Sequence, residues 1–138
     1  MARDKYHDIV KLALQKDGWK VTHDPLFVKL DEVTTVQVDL GAERLLAAEK
    51  GDEKIAVEIK SFLGYSPITN FYHALGQFEL YLLALENQES DRVLFLAIST
   101  ITYKTFFQKP IIQQAIKRFS IKLIVYNINK KRIDTWIK

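Results

Sequence analysis

The order of elements in this 138-residue chain predicts an α/β fold, a single-domain mixed β-sheet flanked by helices. Three observations carry that expectation. An amphipathic helix opens the chain and several short strands follow it in a meander. A long helix then leads into Arg92–Ser99, a nearly continuous apolar run, as found in central strands covered on both faces. A further helix returns to one or two C-terminal strands, and elements in this order pack as a sheet with helices on its faces. At 48% hydrophobic residues, the chain can bury one core.

Each element has its own warrant. Tyr6, Ile9, Val10, Ala13 and Leu14 recur at helical spacing, and Gly18 ends the run after Lys16 and Asp17. Trp19–Thr22 reads as a short strand broken by Asp24-Pro25. Thr34–Leu40 alternates, with Val36, Val38 and Leu40 on one face and Gln37 and Asp39 on the other; Gly41 permits a bend directly after. Arg44–Lys50 has helix-forming composition. The turn at Lys50-Gly51-Asp52-Glu53 leads into a strand at Lys54–Lys60, however, so a hairpin makes 44–50 a strand. Ser66-Pro67 supplies an N-cap and a first-turn proline for a helix to about Glu86. Its apolar stripe is Phe71, Ala74, Leu75, Phe78, Leu82 and Leu85. Helical turns at Tyr103–Phe107, a helix over Pro110–Phe119, and strands at Lys122–Ile128 and Arg132–Ile137 complete the order. No repeat, low-complexity segment or linker interrupts it.

Bulk properties narrow the function classes. The chain has no cysteine, which excludes disulfides and thiolate metal sites. It leads straight into a helix with no apolar signal segment, and no apolar run reaches a membrane span. A cytoplasmic protein without membrane partners is expected. Charge is unevenly spread. Residues 101–138 carry nine Lys/Arg against one acid, a balance of +8, whereas the first hundred hold eleven against sixteen, a balance of −5. Lys104, Lys109, Lys117, Arg118, Lys130, Lys131 and Arg132 are therefore candidate DNA contacts, and a solvated lysine-rich face is the plain alternative.

The chemistry concentrates in Ala56-Val57-Glu58-Ile59-Lys60-Ser61, with Asp39 nineteen residues before Glu58. On a strand Glu58 and Lys60 share one face, and Val57 and Ile59 the other. A carboxylate and an amine side by side on a buried strand are costly to place without a purpose. With a second carboxylate from a neighbouring strand they can hold a divalent metal beside a lysine. The plain alternative is a surface ion-pair triad. On the long helix Gln77 and Tyr81 stand four residues apart on one face, with His73 a turn earlier.

This set resembles the restriction-endonuclease-like, or PD-(D/E)xK, nuclease superfamily, whose motif is an acid followed on the next strand by Glu/Asp-x-Lys. Gln77-Phe78-Glu79-Leu80-Tyr81 resembles the Gln-x-x-x-Tyr motif of its RecB-type members. The resemblance implies Asp39 and Glu58, helped by the Ile59 carbonyl, as ligands of Mg²⁺ or Mn²⁺. The ion would polarise the scissile phosphate and acidify an attacking water, with Lys60 orienting that water or stabilising developing charge. Gln77 and Tyr81 would fix Lys60 or contact DNA. Two positions depart from the pattern. Val38 replaces the proline before the acid, and the first helix offers His7 and Asp8 where many members place a metal-facing glutamate.

Taken end to end, the chain resembles the XisH family. Met-Ala-Arg-Asp with His7-Asp8, Lys16-Asp17-Gly18-Trp19, Val38-Asp39-Leu40-Gly41-Ala42-Glu43, Val57-Glu58-Ile59-Lys60-Ser61-Phe62, and Ala74-Leu75-Gly76-Gln77-Phe78 with Tyr81 carry the likeness. These are fdxN element excision controlling factors. The resemblance implies DNA, a site-specific recombinase and a companion factor of the XisI type as partners, with a homodimer as one way to double the basic surface. Two readings follow: a metal-dependent endonuclease acting in excision, or a non-catalytic DNA- or partner-binding regulatory module on a nuclease fold.

Overall fold

The computed structural model describes residues 5–29, 35–36, 45–63, 66–88 and 91–138. Its elements are α1 (Lys5–Lys16), β1 (Lys20–His23), β2 (Val28–Lys29), β3 (Thr35–Val36), β4 (Leu45–Lys50) and β5 (Glu53–Ile59). They continue with α2 (Pro67–Gln88), β6 (Arg92–Ser99), α3 (Thr100–Lys104), a 3₁₀ turn (Phe106–Gln108), α4 (Pro110–Arg118), β7 (Leu123–Asn127) and β8 (Arg132–Ile137).

Six of the strands form one mixed sheet in the order β1-β4-β5-β6-β7-β8. The β4–β5 hairpin turns at Gly51, whose φ of +60° is open to glycine without strain. It pairs 45–50 with 53–58 residue for residue, and β1 adds antiparallel on the outer side of β4. These two ladders make 45–50 a strand despite its helix-forming composition, because tertiary pairing overrides weak local propensity. The β5, β6 and β7 strands run parallel, and β8 returns antiparallel on the edge. Parallel neighbours require crossovers, which α2 provides between β5 and β6, and α3, the 3₁₀ turn and α4 provide between β6 and β7.

Strand alternation divides the core into two layers. Val57 and Ile59 of β5 and Phe95 and Ala97 of β6 point to α1, where they pack with Tyr6, Val10 and Leu14. Ala56, Leu94, Leu96 and Ile98 point the other way, onto Phe71, Phe78 and Leu85 of α2, Phe107, and Ile112 and Ile116 of α4. The apolar run of β6 is therefore covered on both faces, as its composition requires.

Two local differences from the expected order stand out. Val28–Lys29 pairs with Thr35–Val36 as a short separate ribbon; two residues are too few to show a period in the sequence. Of the strand expected at 34–40, the described part is Thr35–Val36, and Asp39 and Gly41 lie outside the described residues. Among the described residues no helix is long and apolar enough to cross a membrane.

Candidate functional site

In phase with Ala56, Glu58 and then Lys60 present their side chains to the α2 face of the sheet, one at the end of β5 and one just beyond it. The Lys60 N–H donates to the Ala97 carbonyl at 3.2 Å, carrying the β5–β6 ladder one residue past the strand. Glu58 lies beside Leu45 of β4 and Leu96 of β6. It is 2% exposed and Lys60 is 4% exposed, so the pair is not a solvated surface ion pair. Lys60 Nζ stands 3.7 Å from Glu58 Oε2 and donates a hydrogen bond to Gln77 Oε1 of α2. Buried charges are retained only when partners offset the loss of water, and Glu58 of β5 and Gln77 of α2 bring such partners to Lys60 from two elements of one layer.

The chain leaving Lys60 is gripped by aromatic rings. Phe62 meets Phe107 edge-on at 5.2 Å and Phe106 at 5.9 Å, and Phe71 meets the same two rings at 5.9 and 6.0 Å. Phe62 has φ +56°, a left-handed conformation that costs a side-chain-bearing residue roughly 1–2 kcal/mol. The aromatic packing of Phe62 offsets that cost. Phe62 escaped the sequence reading of the site. Its place at the end of the Val57–Phe62 segment was the available signal, and it gave no packing partner.

The remaining candidates divide. Tyr81 is buried in the core cluster between α2 and the sheet, away from any surface that DNA could touch, whereas His73 is exposed. His7 and Asp8 stand on α1, the layer on the other face of the sheet from Glu58. The fully buried His7 ring meets Asp24 Oδ1 at 2.7 Å through Nε2 and Asp8 Oδ1 at 3.1 Å through Nδ1. Lys11 also donates to Asp24, at 3.0 Å. Burial raises the Asp24 carboxyl, but the bonds from Lys11 and His7 outweigh it and hold it below the usual value of 3.8. Any accessory role for His7 would first have to release Asp24.

The basic residues are split by topology. Strands β5, β6 and β7 are parallel, so Lys60, the start of α3 and the β7–β8 turn share the carboxyl edge of the sheet. Lys104 closes α3, Lys109 precedes α4, and Lys130, Lys131 and Arg132 form the turn into β8. All five belong to that edge. Helix α4 runs back to the start of β7, which takes Lys117 and Arg118 to the opposite edge. In open α/β sheets the crevice beyond the carboxyl ends of parallel strands is where ligands bind.

The donors present suit a hard cation: the Glu58 carboxylate and the carbonyl of Ile59, the last residue of β5. Asp39, the other expected ligand, lies outside the described residues. Among the described residues no group of three or more His, Cys, Asp or Glu gathers as a metal site.

These features define a class: α/β proteins with a mixed sheet and a buried carboxylate–lysine pair at the carboxyl end of the first parallel strand. Within it, the chain belongs to the XisH family, whose model matches residues 1–134. Two crystal structures are similar over nearly the whole chain. One is an XisH family protein from Nostoc punctiforme PCC 73102, 42% identical, covering 98% of this chain and 100% of its own, with a TM-score of 0.90. The other is a fdxN element excision controlling factor protein from Anabaena variabilis, 43% identical, covering 96% of this chain and 98% of its own, with a TM-score of 0.89. No curated protein sequence matches the chain.

Proposed function

We propose that this chain is a controlling factor for the excision of a DNA element and carries a metal-dependent nuclease site of the restriction-endonuclease-like, PD-(D/E)xK type. The observation that carries the reading is Lys60, a buried ammonium at the carboxyl edge of the sheet, tied to Gln77 and paired with Glu58. A lysine held this way is pre-organised toward the crevice rather than solvated. The naming of the Anabaena variabilis relative supports the excision setting. That setting brings DNA, a site-specific recombinase and an XisI-type companion as partners in the cytoplasm.

In this reading Glu58, Asp39 and the Ile59 carbonyl hold Mg²⁺ or Mn²⁺. When bound, the ion supplies Lewis-acid polarisation of the phosphate and an acidified water. Lys60 orients that water or neutralises charge growing on the phosphoryl oxygens, where a fixed donor in a water-poor site acts most strongly. Gln77 is a positioning residue for Lys60. Lys104, Lys109, Lys130, Lys131 and Arg132 line the edge along which a sugar–phosphate backbone would reach the site.

The test is nicking of supercoiled plasmid with Mg²⁺ or Mn²⁺ by the wild type and by Asp39→Ala and Lys60→Met. Metal-dependent cutting that both substitutions abolish supports the nuclease site. If the wild type cuts no form of DNA even with its companion factor and recombinase added, the nuclease step is wrong. Salt-dependent DNA binding that survives both substitutions then identifies a binding module on the same fold.

A further inference from the structure

Helix α2 exposes large apolar side chains on the side opposite its buried one. Its core side carries Phe71, Ala74, Phe78, Tyr81 and Leu85. Successive residues turn by 100°, which sets Thr69, Glu79 and Asn87 on the side pointing away from the sheet together with Ile68, Tyr72, Gly76, Leu80 and Leu83. The four large apolar side chains among them are open to solvent, Ile68 at 40%, Tyr72 at 65%, Leu80 at 52% and Leu83 at 56%. A Cβ added at Gly76 would meet nothing within 4 Å. A helix on a protein surface ordinarily turns a charged face outward. Here residues 67–78 contain no charged side chain, and Glu79 and Glu86 are the only acids in the helix.

We infer that this ridge is the contact surface for a second copy of the chain, with two α2 helices crossing antiparallel about a two-fold axis at Gly76. The spacing is self-complementary. Tyr72 and Leu80 lie four residues before and after Gly76, so the axis sets each Tyr72 against the Leu80 of the other copy. Leu83 of each copy then falls between Ile68 and Tyr72 of the other. Gly76, bare at the crossing, lets the backbones approach as closely as small residues allow.

Charge selects the antiparallel arrangement. A parallel pair would set Glu79 against Glu79 and Glu86 against Glu86. The antiparallel pair lays the uncharged first half of each helix on the acidic second half of the other and opposes the helix dipoles favourably. The four side chains expose on the order of 400 Å² per copy, as large as a monomer's biggest apolar patch usually is. With Thr69 and Asn87 lying among them and His73 beside them, the contact reaches about 600 Å² per partner, the lower end of a stable interface. Gln77, which holds Lys60, is the next residue after the axis, so dimerisation would bring two candidate sites into one particle.

The experiment combines sedimentation equilibrium with single-cysteine crosslinking, which the cysteine-free sequence permits. The wild type is expected to sediment as a dimer. Leu80→Lys/Leu83→Lys should be monomeric, with its dissociation constant raised at least tenfold and an unchanged circular dichroism spectrum. Gly76→Cys should form a disulfide-linked dimer under mild oxidation, because a close helix crossing brings the two Cα atoms into disulfide range. Asp52→Cys, exposed on the β4–β5 turn, serves as the control. A wild type that stays monomeric up to about 0.5 mM, a double lysine variant that still dimerises, or Gly76→Cys crosslinking no faster than Asp52→Cys overturns the inference.

Discussion

Replacing Gln77 with leucine removes the side-chain acceptor from a buried ammonium while keeping nearly the same volume. Lys60 then loses that acceptor, and Glu58 Oε2, at 3.7 Å, stands beyond good hydrogen-bond reach to replace it. A hydrogen bond to a charged group contributes about 1.5–3 kcal/mol, and a buried donor left short of partners forfeits at least that much. The unfolding entropy of a 138-residue chain is about 0.3 kcal/mol/K, so the expected loss in Tm is roughly 5–10 °C. The loss is assigned to the Lys60–Gln77 bond by a double-mutant cycle with Lys60→Met. Once the ammonium is gone, Gln77→Leu should cost less than about 0.5 kcal/mol, leaving a coupling energy of roughly 1–3 kcal/mol. Urea denaturation followed by circular dichroism at neutral pH measures all four corners. Additivity of the two substitutions to within about 0.5 kcal/mol would refute the claim that Gln77 anchors Lys60.

Two further expectations concern other parts of the molecule. The Asp24 carboxyl is held below its ordinary 3.8 in the folded state, so in acid the unfolded chain binds the extra proton. Its contribution is fully present above the unfolded value and is lost as pH falls through the lower folded one. Asp24→Asn should therefore cost about 1–3 kcal/mol at neutral pH. The gap to wild type should narrow below pH 3.8. Urea midpoints from neutral pH into acid measure this, and a gap independent of pH would contradict the ion-pair account. On the basic side, Lys130→Ala/Lys131→Ala/Arg132→Ala should weaken DNA binding and flatten its salt dependence by up to about 0.9 log–log units per lost phosphate contact. Lys117→Ala/Arg118→Ala, on the other edge of the sheet, should change little; equal effects from both variants would mean that DNA does not follow the carboxyl edge.

Much of the scaffold was legible because it rests on periodicity. Period-two alternation put Glu58 and Lys60 on one face of a strand whose other face is apolar, and the structure buries both faces. The Ser66-Pro67 start of α2, the central character of Arg92–Ser99 and the β4–β5 turn at Gly51 were likewise local signals. Tyr81 shows where such reading stops. Its spacing from Gln77 suggested a shared polar line, but four residues advance a helix by a further 40°. That rotation is enough to carry Tyr81 into the core while Gln77 stays at its margin. His7 is a second case. It meets Asp24, seventeen residues away, which no spacing rule connects to it.

The sequence by itself determined that a carboxylate and a lysine sit side by side at the end of an apolar strand, because strand geometry depends only on neighbouring residues. It also determined the helix that passes over them and the excess of positive charge in the last third. Only the tertiary structure decided that Gln77 receives the Lys60 ammonium. It also decided that the aromatic rings of 62, 71, 106 and 107 pack together beside the site. The basic residues fall on two opposite edges because parallel strands end together while the helix between them runs back. Those outcomes depend on which strands pair and in which direction. That is a property of the assembled sheet, and it is carried by contacts between residues far apart in the chain.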